Sequence, residues 1–212
     1  STELAEAFNK NYIFDFKIKR PFYLNPKHKE FYNCIKNSKT KIGFVDGPAG
    51  SMKTYIAVYA GLELLREEAF TKLVYIRSIA ESAEKSLGSL PGEIDDKFSP
   101  YAIPLDEKVA EIAGAGVCSM LKQKGLIEAI PVNFVRGLTF NKTLVIVDEA
   151  QNLSRKELTT ILTRFGRHSK YIVIGDCNQA DVNKSGYKEI FNMFNTHQST
   201  ENDIFSFKFG TA

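Results

Sequence analysis

The stretch KIGFVDGPAGSMKT, Lys41 to Thr54, constrains this chain more than any other. An apolar run of β type breaks into Gly47-Pro48-Ala49-Gly50 and ends on Lys53-Thr54. YIAVYAGLELLREE follows, with Ile56, Tyr59, Ala60 and Leu64 at helical spacing. Strand, glycine-rich turn and helix start, in that order, make a phosphate cradle. Backbone N–H groups converge on the anion, a lysine reaches the β- and γ-phosphates, and a Ser or Thr hydroxyl ligates Mg²⁺. Lys53 and Thr54 fit the last two roles, Gly47, Pro48, Ala49, Gly50, Ser51 and Met52 form the loop, and the dipole of the helix points at the bound anion. One position departs from G-x-x-x-x-G-K-[ST]: Met52 stands where the pattern has glycine, and a Cβ there crowds a backbone that must approach the phosphates. Taken alone, the loop is equally readable as a glycine-rich turn between strand and helix.

At 212 residues with 43% hydrophobic content, the chain suits one sizeable α/β domain with a proper core. Cys34, Cys118 and Cys177 are far apart and form no C-x-x-C pair, which argues against a disulfide framework or a zinc site. The three histidines are dispersed, which speaks against coordination by His. No run reaches the length of a membrane span, and STELAEAFNK lacks the features of a signal peptide, so a soluble protein of the reducing cytoplasm with no membrane partner is expected. A net charge of +3 permits nucleic-acid contact without arguing for it. Two local basic clusters, one around Lys17, Lys19, Arg20, Lys27 and Lys29 and one at Arg164, Arg167, His168 and Lys170, read first as solvated faces.

Along the chain, IFDFKIKR predicts a short strand that stops before Pro21. Asn25-Pro26 predicts an N-cap and first helical position, with Phe31, Cys34 and Ile35 giving an apolar face over about three turns. LVYIR, from Leu73, predicts a buried parallel strand. The segment SIAESAEKSLGSLPGEIDDKFSPYAIPLDE, with three prolines and two glycines, predicts a long excursion of the kind that serves as a functional loop or lid. Helix is expected to return over 105–124, broken near Gly114 and Gly116, followed by a strand at LIEAIPV.

TLVIVDEAQ, Thr143 to Gln151, is the second strong signal. Its apolar run predicts a strand covered on both faces, ending in two carboxylates at the edge where open α/β sheets bind ligands. In a P-loop NTPase the Asp of such a strand holds Mg²⁺ and an adjacent Glu orients and deprotonates the attacking water. Asp148 and Glu149 are that pair. A helix capped by Asn152 or Ser154 follows, with Leu158, Ile161, Leu162 and Phe165 as its buried stripe. Tyr171 to Ile174 predicts another strand, ending in GDCNQAD, where Gln179 can donate to a γ-phosphate or to the attacking water. Gly-Asp-Cys-Asn is also ordinary turn chemistry. A helix near Tyr187 to Phe194 and a strand at IFSFKF close the chain. The alternation of strands and helices predicts a doubly wound, mostly parallel sheet. The organisation expected is a single domain over 1–212, with an N-terminal strand and helix (1–40), a nucleotide-binding core (41–195) and a C-terminal strand (196–212).

Taken together, GPAGSMKT, RSIAESAEKSLGSLPG from Arg77, the spaced Pro100, Tyr101 and Pro104, VRG at Val135 to Gly137, VIVDEAQN, LTRFG with Ser169-Lys170, and GDCNQAD resemble, in order, the PhoH-like ATPases named for phosphate starvation. The resemblance covers roughly residues 20–195. It implies a RecA-type P-loop domain related to the first motor domain of superfamily-1 helicases. By position it implies that Lys53 and Thr54 bind phosphate and Mg²⁺, that Asp148 and Glu149 do Walker B work, and that Gln179 senses the γ-phosphate. It adds Arg77, Arg136 and Arg164 as motif arginines, one of which could reach a neighbour's nucleotide in a ring of subunits, or else serve ion pairs within the fold. His28 aligns with the family's adenine-reading Gln. Departures are Met52 for glycine, His28 for that Gln, Ser78 for proline and Leu138 for arginine. The chain ends at FKFGTA, where the family usually continues into Asp-Val-Val-Arg-His, so the sequence is either trimmed or lacks that arginine.

The expected activity is Mg²⁺-dependent ATP binding and hydrolysis, with RNA or single-stranded DNA as candidate partners and a homo-oligomeric ring, of six subunits, as the assembly. One RecA-like domain is too little for helicase action by a monomer. The alternative is a nucleotide- or nucleic-acid-binding module with little or no turnover, for which Met52 is the main support. A kinase lacks an identifiable phosphoacceptor site.

Overall fold

The computed structural model describes residues 16–19, 24–78, 94–179 and 185–210, the side chains of 94–99 excepted. Six strands form one sheet: β1 (Ile42–Asp46), β2 (Lys72–Arg77), β3 (Ile127–Pro131), β4 (Thr143–Asp148), β5 (Lys170–Gly175) and β6 (Ile204–Lys208). Their order is β3-β2-β4-β5-β1-β6, and every pairing is parallel. Parallel neighbours require crossovers, and the apolar runs of β4 and β5, buried at every position, need cover on both faces. One face is covered by α1 (Pro26–Lys36), α2 (Lys53–Arg66), α3 (Ile94–Ala113) and α4 (Ala115–Gln123), which pack with Leu73, Tyr75, Leu144, Ile146 and Ile172. The other carries α5 (Arg155–Leu162) and α6 (Tyr187–Phe194), whose Leu158, Ile161, Ile190 and Phe191 meet Val74, Val145, Val147 and Val173. The short α7 (His197–Glu201) leads into β6. This is the doubly wound parallel sheet the sequence predicts.

Local signals explain most boundaries. The Asn25 side chain accepts the His28 N–H at 2.8 Å, with Pro26 at the first helical position of α1. Ser154 caps α5 in a reciprocal capping box with Glu157. The break between α3 and α4 is at Gly114, with φ of 96°, and Gly116 lies inside α4. The last predicted strand is not an appendage, because β6 extends the sheet beside β1.

Three expectations fail. In the basic cluster read as a solvated face, Arg167 and His168 are exposed but Lys170 is buried, its ammonium drawn in by the Ile35 and Asn37 carbonyls. Within the predicted N-terminal strand, Phe16 to Lys19 join no sheet; Phe16 is buried and the Lys19 N–H donates to the Ile112 carbonyl at 3.0 Å, so this piece is pinned to the end of α3, while the rest of IFDFKIKR is outside the described residues. The excursion expected after β2 is, from Ile94 onwards, the 20-residue helix α3 with Pro100 and Pro104 inside it. A proline in a helix removes one hydrogen bond and crowds the preceding turn. Here Tyr101, Leu105, Val109 and Ile112, one face of the helix, are buried against the core and hold it through those losses. The LGSLPG stretch and Ala180-Asp181 lie outside the described residues.

Candidate functional site

The register brings the strand ends level, Asp46 opposite Gly175 and Arg77 opposite Asp148, so the turns after β1, β4 and β5 share one edge. There they line a cleft of about 850 Å³ together with the start of α2. The loop after β1 is tight. The Gly47 N–H donates to the Gly175 carbonyl at 3.1 Å, and a Cβ on Gly47 would stand 2.9 Å from that of Phe209, so only glycine fits. Gly50 has φ of 77°, and Met52, at the N-cap of α2 and without a side-chain cap, has φ of 65° and ψ of 13°. The left-handed region costs a non-glycine residue roughly 1–2 kcal/mol. The Met52 side chain packs at the margin of the core below.

Lys53 is buried, and its ammonium donates to the carbonyls of Gly47 at 2.5 Å and Pro48 at 2.6 Å and to Ser51 Oγ at 3.1 Å. Burial holds its pKa below the ordinary lysine range, against the opposing pull of Asp176, Asp148, Glu149 and Asp46. The acidic surroundings therefore offset part of the cost of keeping this cation out of water.

Facing it, the buried Asp148 at the end of β4 accepts from Thr54 Oγ1 at 3.1 and 3.2 Å, from the Tyr75 hydroxyl at 2.6 Å and from the Glu149 N–H at 2.9 Å. Burial first, and the Asp148 charge second, push the Tyr75 phenol far above its usual range, so it remains a donor to the carboxylate. Glu149 has φ of 50°, a left-handed turn that ends the strand abruptly and begins the single 3-10 turn Ala150–Asn152. That turn swings Gln151 back beside Glu149: its Nε2 donates to Glu149 Oε2 and to Gln179 Oε1 at 3.1 Å, and its Oε1 accepts the Asp176 N–H at 3.1 Å. Asp46 accepts the Cys177 N–H at 2.7 Å, and burial, aided by that carboxylate, raises the Cys177 thiol to about 12.

Of the residues singled out in the sequence, Ala49, Gly50, Ser51, Met52, Lys53, Thr54, Asp148, Glu149 and Gln179 line the cleft. Gly47 and Pro48 lie just behind, holding the lysine. His28 and the three arginines do not line it. The His28 ring meets Phe209 edge-on at 4.9 Å, behind Gly47, and its Nδ1 is buried without a partner. Arg77 ends β2 beside Asp148 in register. Arg136 is exposed beyond β3, near the exposed Phe134 and Leu138. Arg164 sits at the far end of the sheet, where its carbonyl accepts the Phe140 N–H ahead of β4, and its Nε is buried unpaired. Sequence reasoning gave no role to Gln151, Asp176 or Asp46, although each stands at a strand end or shortly beyond one, nor to Tyr75, which lies inside β2. Lys19 and Lys108 also reach the cleft.

The donor set suits magnesium. Thr54 and Asp148 offer oxygens already in contact, and Mg²⁺ is commonly held by one or two protein oxygens, with phosphates and water completing its octahedron. Among the described residues no group of three or more His, Cys, Asp or Glu could hold a metal by itself. No described helix is long and apolar enough to cross a membrane.

Comparison with known proteins agrees with this geometry. A family described as PhoH-like protein matches residues 23–211. A PhoH-like protein of Bacillus subtilis (strain 168) is 36% identical over 156 residues, 74% of this chain and 48% of the relative. One from Synechocystis is 38% identical over 156 residues, 74% and 47%, and Protein PhoH of Escherichia coli K12 is 34% identical over 141 residues, 66% and 40%. The chain spans less than half the length of these curated relatives. On this match and its phosphate-loop architecture, the chain belongs to the PhoH-like protein family, a family of P-loop NTPase type.

Proposed function

We propose that this chain binds Mg-ATP in the cleft and hydrolyses it. The observation that carries the reading is the contact of Thr54 Oγ1 with Asp148 at 3.1 Å, which joins the helix after the phosphate loop to the acidic end of β4 across 94 positions of sequence. Lys53 and the loop amides hold the triphosphate, and Thr54 and Asp148 hold the ion, which when bound neutralises charge on the β- and γ-oxygens. Glu149 takes the proton of the attacking water, and Gln179 contacts the γ-phosphate. A contact of His28 with the base enters this reading through the resemblance alone, its ring lying beside Phe209 at the back of the loop and outside the cleft. RNA or single-stranded DNA is the candidate partner of turnover.

The assembly proposed is a homo-oligomeric ring, of six subunits, in which Arg136, Arg164 or a residue outside this chain serves a neighbour's nucleotide. The exposure of Arg136 beyond β3 leaves it accessible to a neighbour. A second reading, a binding module with little turnover, is favoured by Met52 at φ of 65° in a position suited to glycine.

Phosphate release from Mg-ATP, with and without RNA or single-stranded DNA, decides between the two. Turnover that disappears with Lys53→Ala, together with nucleotide affinity, supports the first reading; tight Mg-ATP binding with no phosphate released supports the second. Light scattering with ATP present tests the ring, and a monomer at every concentration rules it out.

A further inference from the structure

Gln151 is only 3% exposed, and both N–H donors and the carbonyl oxygen of its amide are engaged. A primary amide has two N–H donors and one carbonyl oxygen. Which end is oxygen is fixed by the Asp176 N–H, which can only donate, so Oε1 faces the turn after β5 and Nε2 faces the cleft. Both hydrogens of Nε2 are then committed, one to Glu149 Oε2 and one to Gln179 Oε1.

Two consequences follow for the neighbours. Gln179 has its oxygen turned toward Gln151, which leaves its NH₂ as the end free to face a ligand, and the oxygens of a γ-phosphate accept hydrogen bonds but cannot donate them. Glu149 has one oxygen tied down and the other without a partner among the described residues, the arrangement a carboxylate needs to accept a proton from water.

We propose that Gln151 is the positioning residue of this site, setting the base Glu149 and the γ-phosphate-facing amide of Gln179 as one unit. It lines the cleft with both amide hydrogens committed, so it acts through those two side chains and through its anchor on the backbone at Asp176. The proposal rests on the ATPase reading of the same cleft. It predicts that recognition of the γ-phosphate and proton abstraction weaken together when Gln151 loses its amide, while the nucleoside diphosphate part is held as before.

The test compares Gln151→Met, similar in length and without hydrogen bonds, and Gln151→Glu in the full chain. Calorimetry with Mg-ADP and with a non-hydrolysable Mg-ATP analogue is run beside phosphate release. Gln151→Met is expected to lower kcat by about a hundredfold, to leave ADP affinity within about twofold and to erase most of the preference for the triphosphate. Unchanged kcat and unchanged preference in a folded variant overturn the proposal, as does an equal loss of affinity for both nucleotides, the signature of a merely structural glutamine. Gln151→Glu keeps the shape but has no N–H to give Glu149 or Gln179, so the same losses of kcat and of triphosphate preference are expected; retention of both is a second refutation, available even where the Met variant does not fold. If the unaltered chain releases no phosphate, the ATPase reading fails, whereas the triphosphate preference still tests the positioning of Gln179 by itself.

Discussion

Among the described residues, the two edges of the sheet bury the same number of polar side chains, tyrosines aside, and use them differently. At the edge where the strands begin, Thr40, Thr143, Ser169 and Lys170 are buried; at the edge where they end, Lys53, Asp148, Gln151 and Asp176 are. The first set is tied mainly to backbone. Lys170 donates to the carbonyls of Ile35 and, at 2.7 Å, Asn37, closing the C-terminal end of α1, and Ser169 bridges the Phe140 carbonyl and the Thr143 N–H. In the second set Asp148 and Gln151 are connected largely side chain to side chain, through Thr54, Tyr75, Glu149 and Gln179, whereas Lys53 is held by the Gly47 and Pro48 carbonyls and Ser51 Oγ. Groups bound to backbone away from the cleft have no second arrangement short of unfolding. Groups bound to one another around a cleft can exchange partners when a ligand enters. Buried polarity is thus a marker of function only when it faces a cavity.

That contrast is broken most severely by Glu149→Gln. The isosteric amide keeps the shape and loses the base, so turnover should fall by about 10²–10⁴-fold while Mg-ATP affinity stays within a few-fold. Single-turnover kinetics beside equilibrium titration check this, and wild-type turnover would move the base elsewhere. At the opposite edge, Lys170→Met should leave kcat per folded molecule unchanged. It should lower stability by about 1–3 kcal/mol, because two carbonyls lose their donor. Burial lowers the Lys170 ammonium to about 8. The unfolded chain keeps that proton up to the ordinary lysine range, so between pH 8 and about 10.5 it binds more protons than the folded chain, and this group makes stability rise with pH there. Urea denaturation of wild type and Lys170→Met across that window should show the rise in the first and its loss in the second.

The smallest effect is expected at Met52. Glycine relieves the strain of φ at 65° but gives up the packed thioether and adds entropy to the unfolded chain. We expect Met52→Gly to tighten Mg-ATP binding by a few-fold, a gain of about 1 kcal/mol. Weaker binding in a side-by-side titration would mean that packing beneath the loop outweighs the strain above it.

The sheet was legible because its signals are local and repeated: four or more apolar residues in a row for β4 and β5, and a cap or glycine at most helix ends. The loop residues, Asp148, Glu149 and Gln179 were legible because each follows an apolar strand directly. What the chain hid falls into two kinds. The start of α3 was obscured by Pro100 and Pro104, whose local preference is overridden by the buried stripe at Tyr101, Leu105, Val109 and Ile112, a stripe visible at helical spacing once the prolines are set aside. Gln151 and Tyr75 were hidden because their importance lies in partners far along the chain. Gln151 meets Gln179 across 28 positions, and Tyr75 meets Asp148 across 73. His28 and the three arginines carried a motif-level expectation that spacing alone could not aim, and none of them lines the cleft of its own subunit.

The lysine at the head of α2 already has company. Its ammonium has three donors and three close acceptors, the Gly47 and Pro48 carbonyls and the Ser51 hydroxyl. An arriving triphosphate therefore does not add contacts to a bare cation; it competes with the loop for one that is engaged. On the proposed reading, the apparent affinity is the difference between two sets of hydrogen bonds, lowered by the fraction of time the lysine spends facing inward. Binding becomes an exchange reaction whose internal competitor is present in every molecule at fixed effective concentration, and dilution does not remove it.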